Sequence, residues 1–181
     1  LPVKVWDRFV RVAHWSLAAC VLAAWITAEV KLKSAEPLHE WLGYAALAVI
    51  ALRFAWGWIG PRYARFGHFV TRPSRVLAYA KAVAGGVEPR YLGHNPLGGW
   101  MIVALLATAA LASLTGWLSV TDRFWGVEWV QEAHEALGNA LIALAALHVA
   151  GVVYTSWRQR ENLAAAMVSG VKRPPEPGDV P

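Results

Sequence analysis

Four of the six histidines in this chain fall within or at the edges of long apolar runs. Two of them, His134 and His148, lie fourteen residues apart in AHEALGNALIALAALH, where Glu135 is the one charged residue. An α-helix turns every 3.6 residues and rises 1.5 Å per residue, so this spacing returns to within about 40° of one face and separates the imidazoles by about 21 Å. One helix would therefore carry two ligands on one stripe, near opposite faces of a membrane whose hydrocarbon core is about 30 Å thick. An imidazole in lipid is costly and asks for a function. Axial ligation of haem iron is one that fits.

The elements that must position these side chains follow from composition. Of 181 residues 57% are hydrophobic and 16% charged, and the mean hydropathy is +0.38. Soluble domains carry about 25% charged residues, so the deficit points to an integral membrane protein. The net charge of +5 would suit nucleic acid or an anionic surface, but its distribution among loops fits membrane topology and no nucleic-acid partner is expected. Cys20 lies alone in an apolar run. That excludes a disulfide within the chain and a CxxCH attachment, so any haem here is non-covalent and of b type. The N-terminal LPVKVWDRFVRVAHW is basic and lacks a small-residue cleavage pattern, so the first apolar run reads as a retained spanning helix.

Residues 12–28 are free of charge and, with flanking turns, make the first spanning helix. After the polar EVKLKSAEP, Pro37 suits the first turn of a second helix running to Ile59, with Arg53 as its interior charge and Gly60-Pro61 as its stop. Residues 62–94 are basic, and PSRVLAYAKAVAGG has the period of a short amphipathic helix on the membrane surface. Leu97–Ser119 and Trp129–Trp157 supply the third and fourth spanning helices. A last short amphipathic helix ends at Gly170. The expected fold is all-α, an integral membrane four-helix bundle with short amphipathic surface helices. Residues 1–172 form the transmembrane domain and 173–181 a disordered proline-rich tail.

Lys and Arg count three up to Arg11, two between helices one and two, seven from Arg53 to Arg90, one between helices three and four, and four after Trp157. Fourteen fall on one side and three on the other, so both termini and the middle loop are expected in the cytoplasm. Seven of the twelve acids fall in the two outer loops, and the eleven tryptophans fall mostly near helix ends, as interfacial anchors or ordinary packing. With that topology His14 on helix one matches the depth of His148 on helix four, and His39 on helix two that of His134. Two bis-histidine sites stacked across the bilayer would carry electrons from one face to the other.

Each residue has a plainer reading. His39 or His134 alone reads as a wet interfacial side chain; the matched depth of all four is what favours ligands. Zinc is the rival metal, but tetrahedral sites usually recruit Cys or carboxylate, and His14 and His148 have neither close in sequence. His68 reads as a solvated surface residue. His94, in GHNPLGG, reads as part of the third helix's cap or as a contact to quinone or a haem propionate. Arg53, fourteen residues after His39, and Arg11, one turn before His14, either meet a propionate or quinone oxygen or snorkel to the interface. Gly43 and Gly138, each four residues after an outer histidine, leave room for a porphyrin edge or serve ordinary helix packing.

The segments VWDRFVRVAHW, LHEWLGY, RYLGHNPLGGWM, AHEALGNALIALAALH and RQRENLAAAMVSG together resemble the bacterial cytochrome b561 family, in its cytochrome b/b6-domain or nickel-hydrogenase b-type branch. The resemblance runs from about Val5 to Lys172, and the four-histidine pattern is its specific part. It implies a four-helix di-haem cytochrome b of the bacterial inner membrane, with His14, His39, His134 and His148 as iron ligands. It implies electron exchange between membrane quinone and a redox partner, such as a periplasmic c-type cytochrome or a hydrogenase subunit; a homodimer is compatible with it. The competing reading is an enzyme, a superoxide oxidase that reduces ubiquinone. A cationic outer funnel would draw superoxide, yet only Lys31, Lys33 and Arg123 stand there amid seven acids. A haem-free structural anchor is the third reading. The expectation is an electron-transfer subunit rather than a stand-alone enzyme.

Overall fold

The computed structural model describes residues 1–30 and 35–181, so Lys31 and Lys33, expected in an outer loop, lie outside the described residues. Four helices are long and apolar enough to span a membrane: α1 (Arg8–Val30), α2 (Glu36–Ile59), α5 (Pro96–Ser119) and α6 (Glu128–Gln159). Between α2 and α5 come a 3-10 turn at Arg62–Ala64, the single-turn α3 (Phe66–Phe69) and α4 (Pro73–Ala84). After α6 comes α7 (Leu163–Ser169). Short strands β1 (Val3–Lys4) and β2 (Val171–Lys172) pair antiparallel, Val3 opposite Lys172.

A spanning segment in lipid must satisfy every backbone group internally, which is why these charge-poor runs are helical throughout. Side-chain hydroxyls obey the same constraint. Thr27 donates to the Ala24 carbonyl at 2.8 Å, Thr115 to those of Leu111 and Ala112, and Ser119 to that of Gly116. Large apolar side chains face outward along the spans: Trp41 is 70% exposed and Val153 63%. Such surface suits acyl chains and would be an aggregation liability in water. At 32 residues α6 is about 48 Å long and overshoots a core of about 30 Å. Its first turns hold Glu128, Glu132 and Glu135 and its last turn Arg158, signs that complement the helix dipole.

The chain divides into two units, each holding a stretch of all four long helices. The first comprises Leu1–Arg11, Ala55–Val103 and Ala146–Pro181. Its core is Val5, Trp6, Val10 and Ala64, with Trp56, Tyr63 and Met167 against it. Gly170 closes α7 with φ +87°, and its carbonyl accepts from the amides of Val5 and Trp6. Gly99 lets α5 approach Phe69, since a Cβ there would stand 2.3 Å from the Phe69 carbonyl oxygen. The second unit comprises Val12–Phe54 and Ala104–Ala145, with Ala13, Ala46, Ile50, Ala109, Ala112 and Val130 buried.

Two expectations change. The cap of α5 is Asn95, whose side-chain oxygen accepts from the Gly98 amide at 2.7 Å. His94 instead packs between Trp6 and Phe69, with ring centroids 4.5 and 5.2 Å away. Residues 173–181, expected to be a disordered tail, are docked on the first unit. The Val180 amide donates to the Arg90 carbonyl, and the Leu92 amide to the Val180 carbonyl. The buried Arg90 guanidinium meets Glu161 at 2.9 Å, Asp179, and the carbonyls of Arg173 and Pro174. One arginine with five donors gathers the segment, and a charge removed from water needs such partners. Composition counts prolines and charges but does not see this anchor.

Candidate functional site

Within the second unit α2 and α6 bring two imidazoles face to edge. His39 lies in the first turn of α2 and His134 in the second turn of α6; their ring centroids are 5.9 Å apart and the rings are perpendicular at 89°. The Nδ1 of His39 lies 2.9 Å from the Ala24 carbonyl oxygen on α1, and that of His134 lies 2.9 Å from the Ala112 carbonyl oxygen on α5. A carbonyl only accepts, so each Nδ1 carries the proton and donates it. Each Nε2 then keeps its lone pair for a metal.

The two halves are built alike. Each accepting carbonyl also receives a threonine hydroxyl three residues on, Thr27 to Ala24 at 2.8 Å and Thr115 to Ala112 at 3.0 Å. Thr27 Oγ1 stands 3.3 Å from His39 Nδ1 as well. Gly116, one residue beyond Thr115, makes room for the second imidazole, because a Cβ there would lie 2.9 Å from His134 Cε1. At Gly43 and Gly138, one turn after each histidine, a Cβ would meet nothing within 4 Å among the described residues. Thr27, Thr115 and Gly116 carry no sequence signal of this role beyond being hydroxyl or glycine positions inside apolar spans.

This donor set fits a haem held by two axial histidines. Metal–nitrogen bonds of about 2 Å set opposed imidazole centroids about 6 Å apart, matching the observed separation. The open glycine positions leave space for a flat ring beside the pair. Tetrahedral zinc asks for four ligands, and among the described residues no group of three or more His, Cys, Asp or Glu gathers.

The remaining expected residues are spread over both units. His14 is the seventh residue of α1, in the second unit, with its ring edge-on to Trp15 at 5.0 Å. His148 lies on α6 in the first unit. Arg53 is 6% exposed within the second unit. Arg11 has a use inside the first unit, where its Nη2 donates to the Val168 carbonyl in the last turn of α7, while its buried Nε has no hydrogen-bond partner among the described residues. His68, expected to be solvated, accepts at Nε2 from Arg62 Nε at 3.0 Å and stacks edge-on to Tyr63. Burial, and then the Arg62 charge, hold its pKa below the usual histidine range.

No curated protein matches the chain. A family model described as prokaryotic cytochrome b561 matches residues 5–170. With that match over nearly the whole chain and four apolar helices to span the bilayer, the protein belongs to the prokaryotic cytochrome b561 family, multi-pass proteins of the bacterial inner membrane that transfer electrons through haem b.

Proposed function

We propose that this protein is a transmembrane electron-transfer subunit that holds two b haems and links the quinone pool to a redox partner such as a periplasmic c-type cytochrome or a hydrogenase. The observation that carries the reading is the His39–His134 pair, with rings 5.9 Å apart and both Nδ1 atoms on backbone carbonyls. Haem iron bound there supplies a one-electron couple. His39 and His134 would hold it, and the Ala24 and Ala112 carbonyls, which accept from each Nδ1, would fix each tautomer and make the imidazoles more basic. The second pair, His14 and His148, rests on sequence, each being the one histidine set into its helix towards the basic end. Arg53 and Arg11 are the cations assigned to propionates or a quinone oxygen.

Orientation follows from charge. Thirteen of the seventeen Lys and Arg belong to the first unit, and seven of the twelve acids to the second. By the positive-inside rule the basic termini and the basic stretch between α2 and α5 face the cytoplasm. The acids of the second unit, Glu29, Glu36, Glu40, Asp122, Glu128, Glu132 and Glu135, then face the periplasm and favour a partner with a basic surface.

The test is haem stoichiometry with a redox titration on the purified protein. Wild type should bind two haems per chain, and His39→Ala or His134→Ala should remove the same spectral component and leave the other. Loss of a different component in each variant would refute the pairing. Reduction by quinol and oxidation by a c-type cytochrome should both be rapid in stopped flow; faster reduction by superoxide would reassign the protein as a superoxide oxidase.

A further inference from the structure

At the last turn of α2 and the turn that follows it, the first unit has a pocket of about 470 Å³, lined by Gly57, Trp58, Arg62, Arg65, Gly67 and His68. It has no part in the haem ligation proposed above. Each of its arginines is fixed by Nε. Arg62 Nε donates to His68 Nε2 at 3.0 Å, and Arg65 Nε donates to the Gly60 carbonyl at 2.6 Å. Fixing a guanidinium at Nε orients the fork of its two terminal nitrogens. Among the described residues neither arginine has a carboxylate within ion-pair distance. The sequence holds no Asp or Glu between Glu40 and Glu88. Two oriented guanidiniums in one concavity without a counter-charge are a recognition element for an anion with several oxygens.

Depth selects the anion. The pocket adjoins the end of a spanning helix whose final residues, Trp58 and Ile59, are 65% and 73% exposed. That combination marks the boundary between acyl chains and headgroups, where the resident anions are phosphodiesters. The glycines shape the hollow. A Cβ at Gly57 would stand 2.1 Å from the Phe66 ring, so glycine is needed for that wall, whereas a Cβ at Gly67 would meet nothing within 4 Å. We infer that this pocket binds a phosphate group, that of an anionic phospholipid headgroup, between Arg62 and Arg65.

The test uses delipidated, haem-loaded full-length protein incubated with phosphatidylglycerol or phosphatidylcholine and read by native mass spectrometry. Wild type retains phosphatidylglycerol in preference to phosphatidylcholine, and Arg62→Gln/Arg65→Gln loses it about tenfold while the Soret band is unchanged. Should that variant lose its Soret band, Gly67→Leu replaces it, filling the hollow without altering charge, with the same loss expected. An arm with excess inorganic phosphate separates the sources. Displacement of the lipid shows that the phosphate alone is held, and persistence shows that the acyl-linked diester is needed. Wild-type retention by the folded variant, or equal retention of phosphatidylcholine by wild type, overturns the assignment.

Discussion

At the scale of single residues, the likeness between the two halves of the histidine pair gives the proposed haem site a way to be tuned without charged neighbours. Each imidazole leans on a carbonyl already bonded to a threonine hydroxyl, Thr27 on one side and Thr115 on the other. Thr27→Val and Thr115→Val should leave haem content unchanged and shift the midpoint potential of one haem, the same one in both variants, as a redox titration would read. Potentials equal to wild type would mean that the carbonyls act without the hydroxyls. Gly116→Val should be harsher, because a branched side chain would start 2.9 Å from His134 Cε1. On the proposed ligation, moving His134 would move an iron ligand, and disturbed ligand support typically lowers metal affinity by 10 to 100-fold, so about tenfold weaker haem retention is expected.

At the scale of elements, the C-terminal segment depends on Arg90. Removing one partner of a buried pair costs about 3–5 kcal/mol, so Arg90→Met should release residues 173–181 to protease while the α6–α2 histidine pair keeps its spectrum. The docking should also depend on pH at both ends of the range. Burial raises the Glu161 carboxyl, but its bonds from Arg90 and the Arg173 amide outweigh that and hold its pKa below 4.5. Its contribution is therefore complete above the ordinary carboxylate range and is lost as pH falls through the lowered folded value. Burial, opposed by Glu161, pushes the Lys172 ammonium from 10.5 down to about 8. Between those values the undocked chain binds more protons than the docked one, so docking strengthens as pH rises from about 8 to about 10.5. Pulse proteolysis of the tail, with a free peptide of the same sequence as the rate control, should show both limbs. Lys172→Met should abolish the upper one.

At the scale of the whole molecule, a basic first unit and an acidic second unit fix the expected orientation. In a Cys20→Ala background, Trp125→Cys should react with an impermeant maleimide added to intact cells, and Val87→Cys should react only after lysis. Both positions are well exposed, at 74% and 77%, so reactivity reports sidedness rather than burial. The reverse pattern would invert the topology and with it the side on which the partner docks.

The sequence alone determined the four spanning helices, because lipid leaves an uncharged run of about 20 residues no other way to satisfy its backbone. It also offered His39 and His134 as candidate ligands, not by their own positions near water but through the matched depth of all four histidines in the spans. Tertiary structure decided what lies between helices. The carbonyls of Ala24 and Ala112 are hydrogen-bonded atoms present at every position and acquire meaning only when α1 and α5 deliver them to the imidazoles. Asn95 rather than His94 caps α5, and Arg90 collects a tail whose composition reads as disordered, because both outcomes depend on geometry between residues distant in sequence or on one side-chain oxygen's reach. Hydropathy is a property of each residue and can be read along the chain, whereas hydrogen-bond partnership is a property of pairs.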